Sequence, residues 1–164
     1  KEAEAATIAA IIARGKVPAL EVLEMRRNQI GDKGGAAIAQ ALATGGAPRL
    51  HTLVLSLNTL ASSFCFELAS ALRADALPLL EVVELDDNPI GDDGCAALAG
   101  VVFSGHEASS LRVISMLGTR VSQQGRAALR EALESNQSRR RAAAQSVNWR
   151  RRRGVAQAYK SCST

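Results

Sequence analysis

The sequence repeats itself every 30 residues, and that self-similarity constrains the fold more than any other feature. One segment carries Leu20, Leu23, Met25, Asn28 and Ile30, and a second carries Leu50, Leu53, Leu55, Asn58 and Leu60. The third has Leu80, Val83, Leu85, Asn88 and Ile90; the fourth, displaced by 31 residues, has Leu111, Ile114, Met116, Thr119 and Val121. After each segment a second pattern falls in register: Ile38, Ala41, Leu42; Leu68, Ala71, Leu72; Leu98, Val101, Val102; Leu129, Ala132, Leu133. No single unit of this size can bury its own apolar face, so the units must stack and share one core.

The two patterns have different periods. Leucines alternating with other residues read as a short half-buried strand, and the i, i+3, i+4 spacing that follows reads as a helix with one apolar stripe. Pro18, Pro48 and Pro78 each stand two residues before the strand leucine and stop the preceding helix. Aromatic residues make up only 3% of a chain that is 47% hydrophobic, so its layers are built from small and branched aliphatic side chains. Ile8, Ile11 and Ile12, followed by Pro18, continue the helical pattern upstream, so residues 1–19 read as the helix of an incomplete first repeat. The expected organisation is a repeat domain over residues 1–135 and a basic tail over 136–164.

The segments NQIGDKGGAAIAQAL and NPIGDDGCAALAGVV resemble the ribonuclease-inhibitor-like class of leucine-rich repeats, as found in NOD-like receptors, RanGAP-type GTPase activators and tropomodulins. The resemblance spans residues 20–135 and implies an α/β solenoid, a horseshoe segment of about four repeats with a preceding helix, parallel strands on the concave face and helices on the convex face. It also implies that Asn28, Asn58 and Asn88 turn inward and satisfy backbone groups of neighbouring turns as a ladder. Thr119 breaks the series and can satisfy fewer groups, which marks the fourth repeat as a degenerate cap. Gly31 and Gly91 fit tight turns, with Asp32 and Asp92 or Asp93 placed to cap the following helices. The Gly34–Gly35 and Gly45–Gly46 pairs read as repeat turns.

In such a stack the positions between strand leucines line up in outward-facing columns. These are Val22, Thr52, Val82, Val113; Glu24, Val54, Glu84, Ser115; Arg26, Ser56, Asp86, Leu117; and Arg27, Leu57, Asp87, Gly118. Because the class usually binds on its concave face, the resemblance implies partner-binding positions at Val22, Glu24, Arg26, Val54, Ser56, Leu57, Val82, Glu84, Asp86, Val113 and Leu117. Aliphatics such as Val54, Leu57 and Leu117 on that face are what a protein partner would cover.

Residues 136–164 hold eight basic residues and no acidic one, leaving twelve basic against sixteen acidic in residues 1–135, a net of −4. Arg139, Arg140 and Arg141 form one cluster and Arg150, Arg151, Arg152 and Arg153 another, with Trp149 beside the second and Tyr159 beyond it. Guanidinium forks suit phosphates and carboxylates, and an indole can stack on a base. Three readings stand open: contact with RNA or another polyanion; docking on an acidic protein surface, including the chain's own body; or a solvated or targeting segment.

His51 and His106 have no carboxylate or cysteine at catalytic or ligating spacing, and no GxSxG, HExxH or phosphate-cradling loop is present. Neither an enzyme nor a cofactor is expected. Cys65, Cys95 and Cys162 are too few and too widely spaced for a disulfide framework, and Cys65 and Cys95 read as reduced thiols near helix starts. The longest apolar runs are about half of a bilayer-spanning length, so no membrane insertion is expected. The expected function is a protein-interaction or scaffold module of a larger intracellular assembly, in the cytoplasm or an organelle. The alternatives are a ribonucleoprotein component with an RNA-binding tail and, by analogy with one branch of the class, a regulator of a small GTPase.

Overall fold

The computed structural model describes residues 2–15, 17–104 and 110–161, with side chains of the last helix described as far as residue 143. His106 and Cys162 lie outside the described residues. Helices and strands alternate strictly: α1 (Glu2–Ala13), β1 (Val22–Glu24), α2 (Gly31–Ala43), β2 (Thr52–Val54), α3 (Ser62–Arg73), β3 (Val82–Glu84), α4 (Asp92–Ser104), β4 (Val113–Ser115) and α5 (Gln123–Ser161). The strands form one parallel sheet in the order β1-β2-β3-β4. The pairing register sets Val22 beside Thr52, Thr52 beside Val82 and Val82 beside Val113, so the columns read from the repeat spacing are the columns of the sheet.

A single core lies between the sheet and the helices. Leu23, Leu53, Val83 and Ile114 point into it from the strands, and the helical stripe residues, with Phe64 and Ile12, meet them from the other side. Small residues bring neighbouring helices close. Gly34 and Gly35 lie inside α2 rather than in a repeat turn, and a Cβ at Gly35 would stand 2.5 Å from Leu60 Cδ2. A Cβ at Gly46 would be 1.9 Å from the carbonyl oxygen of Ile12, so the turn after α2 is pressed against the end of α1.

The asparagine ladder forms, with its full pattern on two rungs. Asn58 Nδ2 donates to Met25 O, Leu55 O and Ser56 O, while its Oδ1 accepts Asn28 N–H and Ile30 N–H. Asn88 repeats this one repeat later, donating to Leu55 O, Leu85 O and Asp86 O and accepting from Asn58 N–H and Leu60 N–H. Asn28 is exposed and donates to Arg26 O within its own turn. Thr119 also stays local: its hydroxyl donates to Met116 O and accepts Val121 N–H.

Asn28 and Asn58 each turn between two residues with left-handed backbone. Arg27 and Gln29 have φ of 61° and 50°, and Leu57 and Thr59 have 61° and 58°. In the third repeat Asp87 is left-handed at 55°, but Pro89 cannot follow, its ring fixing φ near −65°. There the turn closes instead through Ile90 N–H to Asn88 O at 2.8 Å.

The expected helix caps are corrected by the structure. Ile30 stands at the N-cap of α2 with no side-chain capping bond, and Asp32 lies inside the helix. The Asp32 carboxylate accepts Ala61 N–H of the next repeat at 2.5 Å. Ser62 accepts Gly91 N–H and Asp92 accepts Ser122 N–H in the same way, so positions 32, 62 and 92 form a row of staples between repeats. Gly31 has the left-handed φ of 66° expected of its turn, whereas Gly91 is not left-handed.

The expected boundary at residues 135/136 falls inside α5. Asn136 is 2% exposed and donates to Leu111 O, and Arg140 donates to Ser110 O. Arg139 donates to Val102 O and Phe103 O in the last turn of α4. A guanidinium there meets carbonyls that a helix end leaves without intrahelical partners, and its charge complements the negative end of the helix dipole.

Candidate interaction surfaces

The sheet face separates the eleven residues expected on it into three groups. Val22, Leu57, Val113 and Leu117 are exposed by 54%, 37%, 47% and 68%. Glu24 and Arg26 are also exposed, and Val82, Glu84 and Asp86 are half-buried. Val54 and Ser56 are buried, at 7% and 2% exposure, which removes them from the accessible surface.

An ion pair that skips a repeat passes over these two residues. Arg26 Nη2 lies 2.8 Å from Glu84 Oε2, joining the first repeat to the third. With adjacent strands about 4.8 Å apart, the pair must span roughly 10 Å and pass over β2. It crosses above Val54 and Ser56, which share their columns with Glu84 and Arg26 respectively. The Ser56 hydroxyl is left without a hydrogen-bond partner among the described residues. Column positions were legible from the repeat; the roof was not, because it depends on two charges 58 residues apart.

The acidic end of the face is also committed locally. Asp86 Oδ1 accepts the Ser115 hydroxyl and Leu117 N–H, and Arg112 pairs with Glu81 at 3.4 Å. Asp92 is spent on Ser122 N–H. Among the described residues no group of three or more His, Cys, Asp or Glu could hold a metal ion, and no helix is long and apolar enough to cross a membrane.

Of the tail residues, Arg139 and Arg140 are spent on backbone carbonyls of the last repeat, and Arg141 is exposed. The side chains of Trp149, Arg150, Arg151, Arg152 and Arg153 lie outside the described residues, although their backbone continues α5. Sequence reasoning grouped Arg139 with the tail because nothing local reveals that α4 ends beside it.

Two hollows meet at Arg112 on the terminal side of the stack. One, of about 310 Å³, lies between β4 and α5 and is lined by residues including Ile114, Met116, Leu129, Leu133, Arg126 and Arg130. The other, of about 410 Å³, is lined by Arg112, Gln137, Arg140 and Arg141. Neither was anticipated from the sequence.

Parallel strands of 30-residue units, each with a helix behind and an asparagine turn after the strand, define a leucine-rich-repeat solenoid. The family pattern described as Leucine Rich repeat matches residues 18–39 and 76–99. The solved structure of leiomodin-1 actin-binding site 2 is 13% identical with a TM-score of 0.59, covering 87% of this chain and 94% of that one. The C-terminal domain of tropomodulin from Caenorhabditis elegans is 14% identical with a TM-score of 0.59, covering 87% and 98%. At these identities the likeness is one of fold. No curated protein matches the sequence. The chain therefore has the fold of a leucine-rich-repeat solenoid.

Proposed function

We propose that the repeat stack is a protein-interaction module whose partner seats on the concave sheet face, and that it serves as a subunit of a larger assembly. The observation that carries this reading is the set of exposed aliphatic side chains Val22, Leu57, Val113 and Leu117, standing on one rigid parallel sheet. A protein surface that covered them would gain on the order of 25 cal/mol for each Å² of apolar area removed from water. Arg26, Glu24, Glu84 and Asp86 between them supply the polar groups that fix orientation. The leiomodin-1 structure of the same fold is titled an actin-binding site, which supports a protein as the kind of partner this architecture takes.

The test is affinity purification of the intact chain beside a Val22→Glu/Leu57→Glu variant, with nuclease treatment and mass spectrometry of the retained proteins. Both positions are exposed, so the variant keeps its circular dichroism spectrum and loses the partners. Retention of the same proteins by the variant refutes the concave-face reading. Their disappearance on nuclease treatment transfers the function to an RNA-dependent assembly.

A further inference from the structure

The end of the stack carries a second, independent surface. Strand residues alternate in the side to which their backbone groups point: Met25, Leu55 and Leu85 each donate their N–H to the following strand, at Val54 O, Glu84 O and Ser115 O. The fourth member of that series is Met116, and among the described residues no strand follows β4 in the sheet. Ile114 shares its orientation by the same alternation. The carbonyls of Glu21, His51 and Glu81 likewise each accept two N–H groups from the next strand. The fourth member of this second series, Arg112 O, accepts Gln137 Nε2 instead, at 3.2 Å. One side chain of α5 therefore takes the place of the first donor of a following strand, and among the described residues no strand pairs with the rest of the edge.

The open edge faces the 310 Å³ hollow, whose floor is Ile114, Met116, Leu129 and Leu133. Its rim is basic. Arg126, Arg130, Gln137 and Arg141 follow at helical spacing along one side of α5, interrupted by the exposed Glu134; Arg112, which pairs with Glu81, stands on the strand side, and no acidic residue lines either hollow. A strand edge, an apolar floor and a row of guanidinium groups together select for an extended, acidic polypeptide. We propose that this end face binds an acidic segment of a partner protein as a fifth parallel strand, its backbone paired with Ile114 and Met116 and its carboxylates held by Arg126 and Arg130. Such strand addition takes affinity from main-chain hydrogen bonds and specificity from alternate side chains.

The probe is a fluorescein-labelled peptide of about eight residues alternating valine and glutamate, long enough for one strand, read by fluorescence anisotropy with the full chain. Binding is expected to weaken about tenfold or more when Arg126→Glu and Arg130→Glu are combined, since reversed charges repel the same carboxylates. N-methylation of alternate peptide bonds should weaken it about as much by removing the donors. Native-state hydrogen exchange should show the Met116 amide slowed by the peptide, and Val22→Glu/Leu57→Glu should bind the peptide as the wild type does, which separates this proposal from the concave-face reading. Failure of the peptide to bind, indifference to N-methylation, or an unprotected Met116 amide overturns it. An oligouridylate that binds in place of the peptide, and is lost on the charge reversal, makes the surface a polyanion site and equally overturns strand addition.

Discussion

Replacing Asn58 with alanine should cost far more than the same change at Asn28, although the two occupy equivalent places in successive repeats. Asn58 is fully buried, and its amide joins five backbone groups. Two of those keep other partners after truncation: Leu55 O still accepts Asn88 Nδ2, and Ser56 O still accepts Arg27 N–H. Met25 O, Asn28 N–H and Ile30 N–H lose the bonds described above. At about 1–3 kcal/mol for each buried group left unsatisfied, and allowing water to reach the part-exposed Asn28, the loss is on the order of 3–6 kcal/mol. Asn28 makes one bond, to Arg26 O on an exposed turn, so its truncation should cost below about 1 kcal/mol. Urea unfolding followed by circular dichroism gives both differences, and hydrogen exchange at Ile30 N–H locates the damage. Equal losses for the two variants, or an Ile30 amide that stays protected in Asn58→Ala, would refute the ladder argument.

Other expectations follow from single sites. Ser56→Ala removes a buried hydroxyl that has no partner among the described residues, so urea unfolding should show stability unchanged or raised by up to about 1 kcal/mol. Gly46→Ala drives a methyl into Ile12 O and should lower the thermal midpoint sharply, whereas Gly45→Ala, at φ 75° with open space around it, should cost only about 1–2 kcal/mol. Burial first, and the neighbouring Cys95 second, push the Cys65 thiol up to about 12 from its ordinary 9.0. The native thiol should therefore react slowly with a disulfide reagent and quickly in denaturant. Between those two pH values the unfolded chain holds fewer protons, so stability falls as pH rises from about 9 to about 12; a flat stability profile there would count against the burial of this thiol.

The periodicity carried most of the fold because each layer of the core uses the same residue at the same offset: Leu23, Leu53, Val83 and Ile114 are one layer, and their pattern survives every substitution between them. The columns of the sheet followed for the same reason. What was not legible depended on pairs without a fixed offset. Val54 reads as an exposed column residue until Arg26 and Glu84 are known to meet above it. Asp32 reads as a helix cap because aspartate near a helix start commonly is one, yet its carboxylate reaches forward to Ala61. Arg139 reads as part of a charged tail because its partners, Val102 O and Phe103 O, are backbone atoms and leave no mark in the sequence.

The Arg26–Glu84 pair also changes how the stack comes apart. Solenoids are usually treated as chains of nearest-neighbour interfaces, in which loss of a terminal unit exposes only the face it covered. Here the first repeat also holds the roof over the second by reaching the third. Fraying of β1 would strip that roof while β2 is still folded, baring Val54 beside Leu57 on an otherwise native sheet. Any opening that parts Arg26 from Glu84 therefore leaves a stickier sheet face than the closed stack presents.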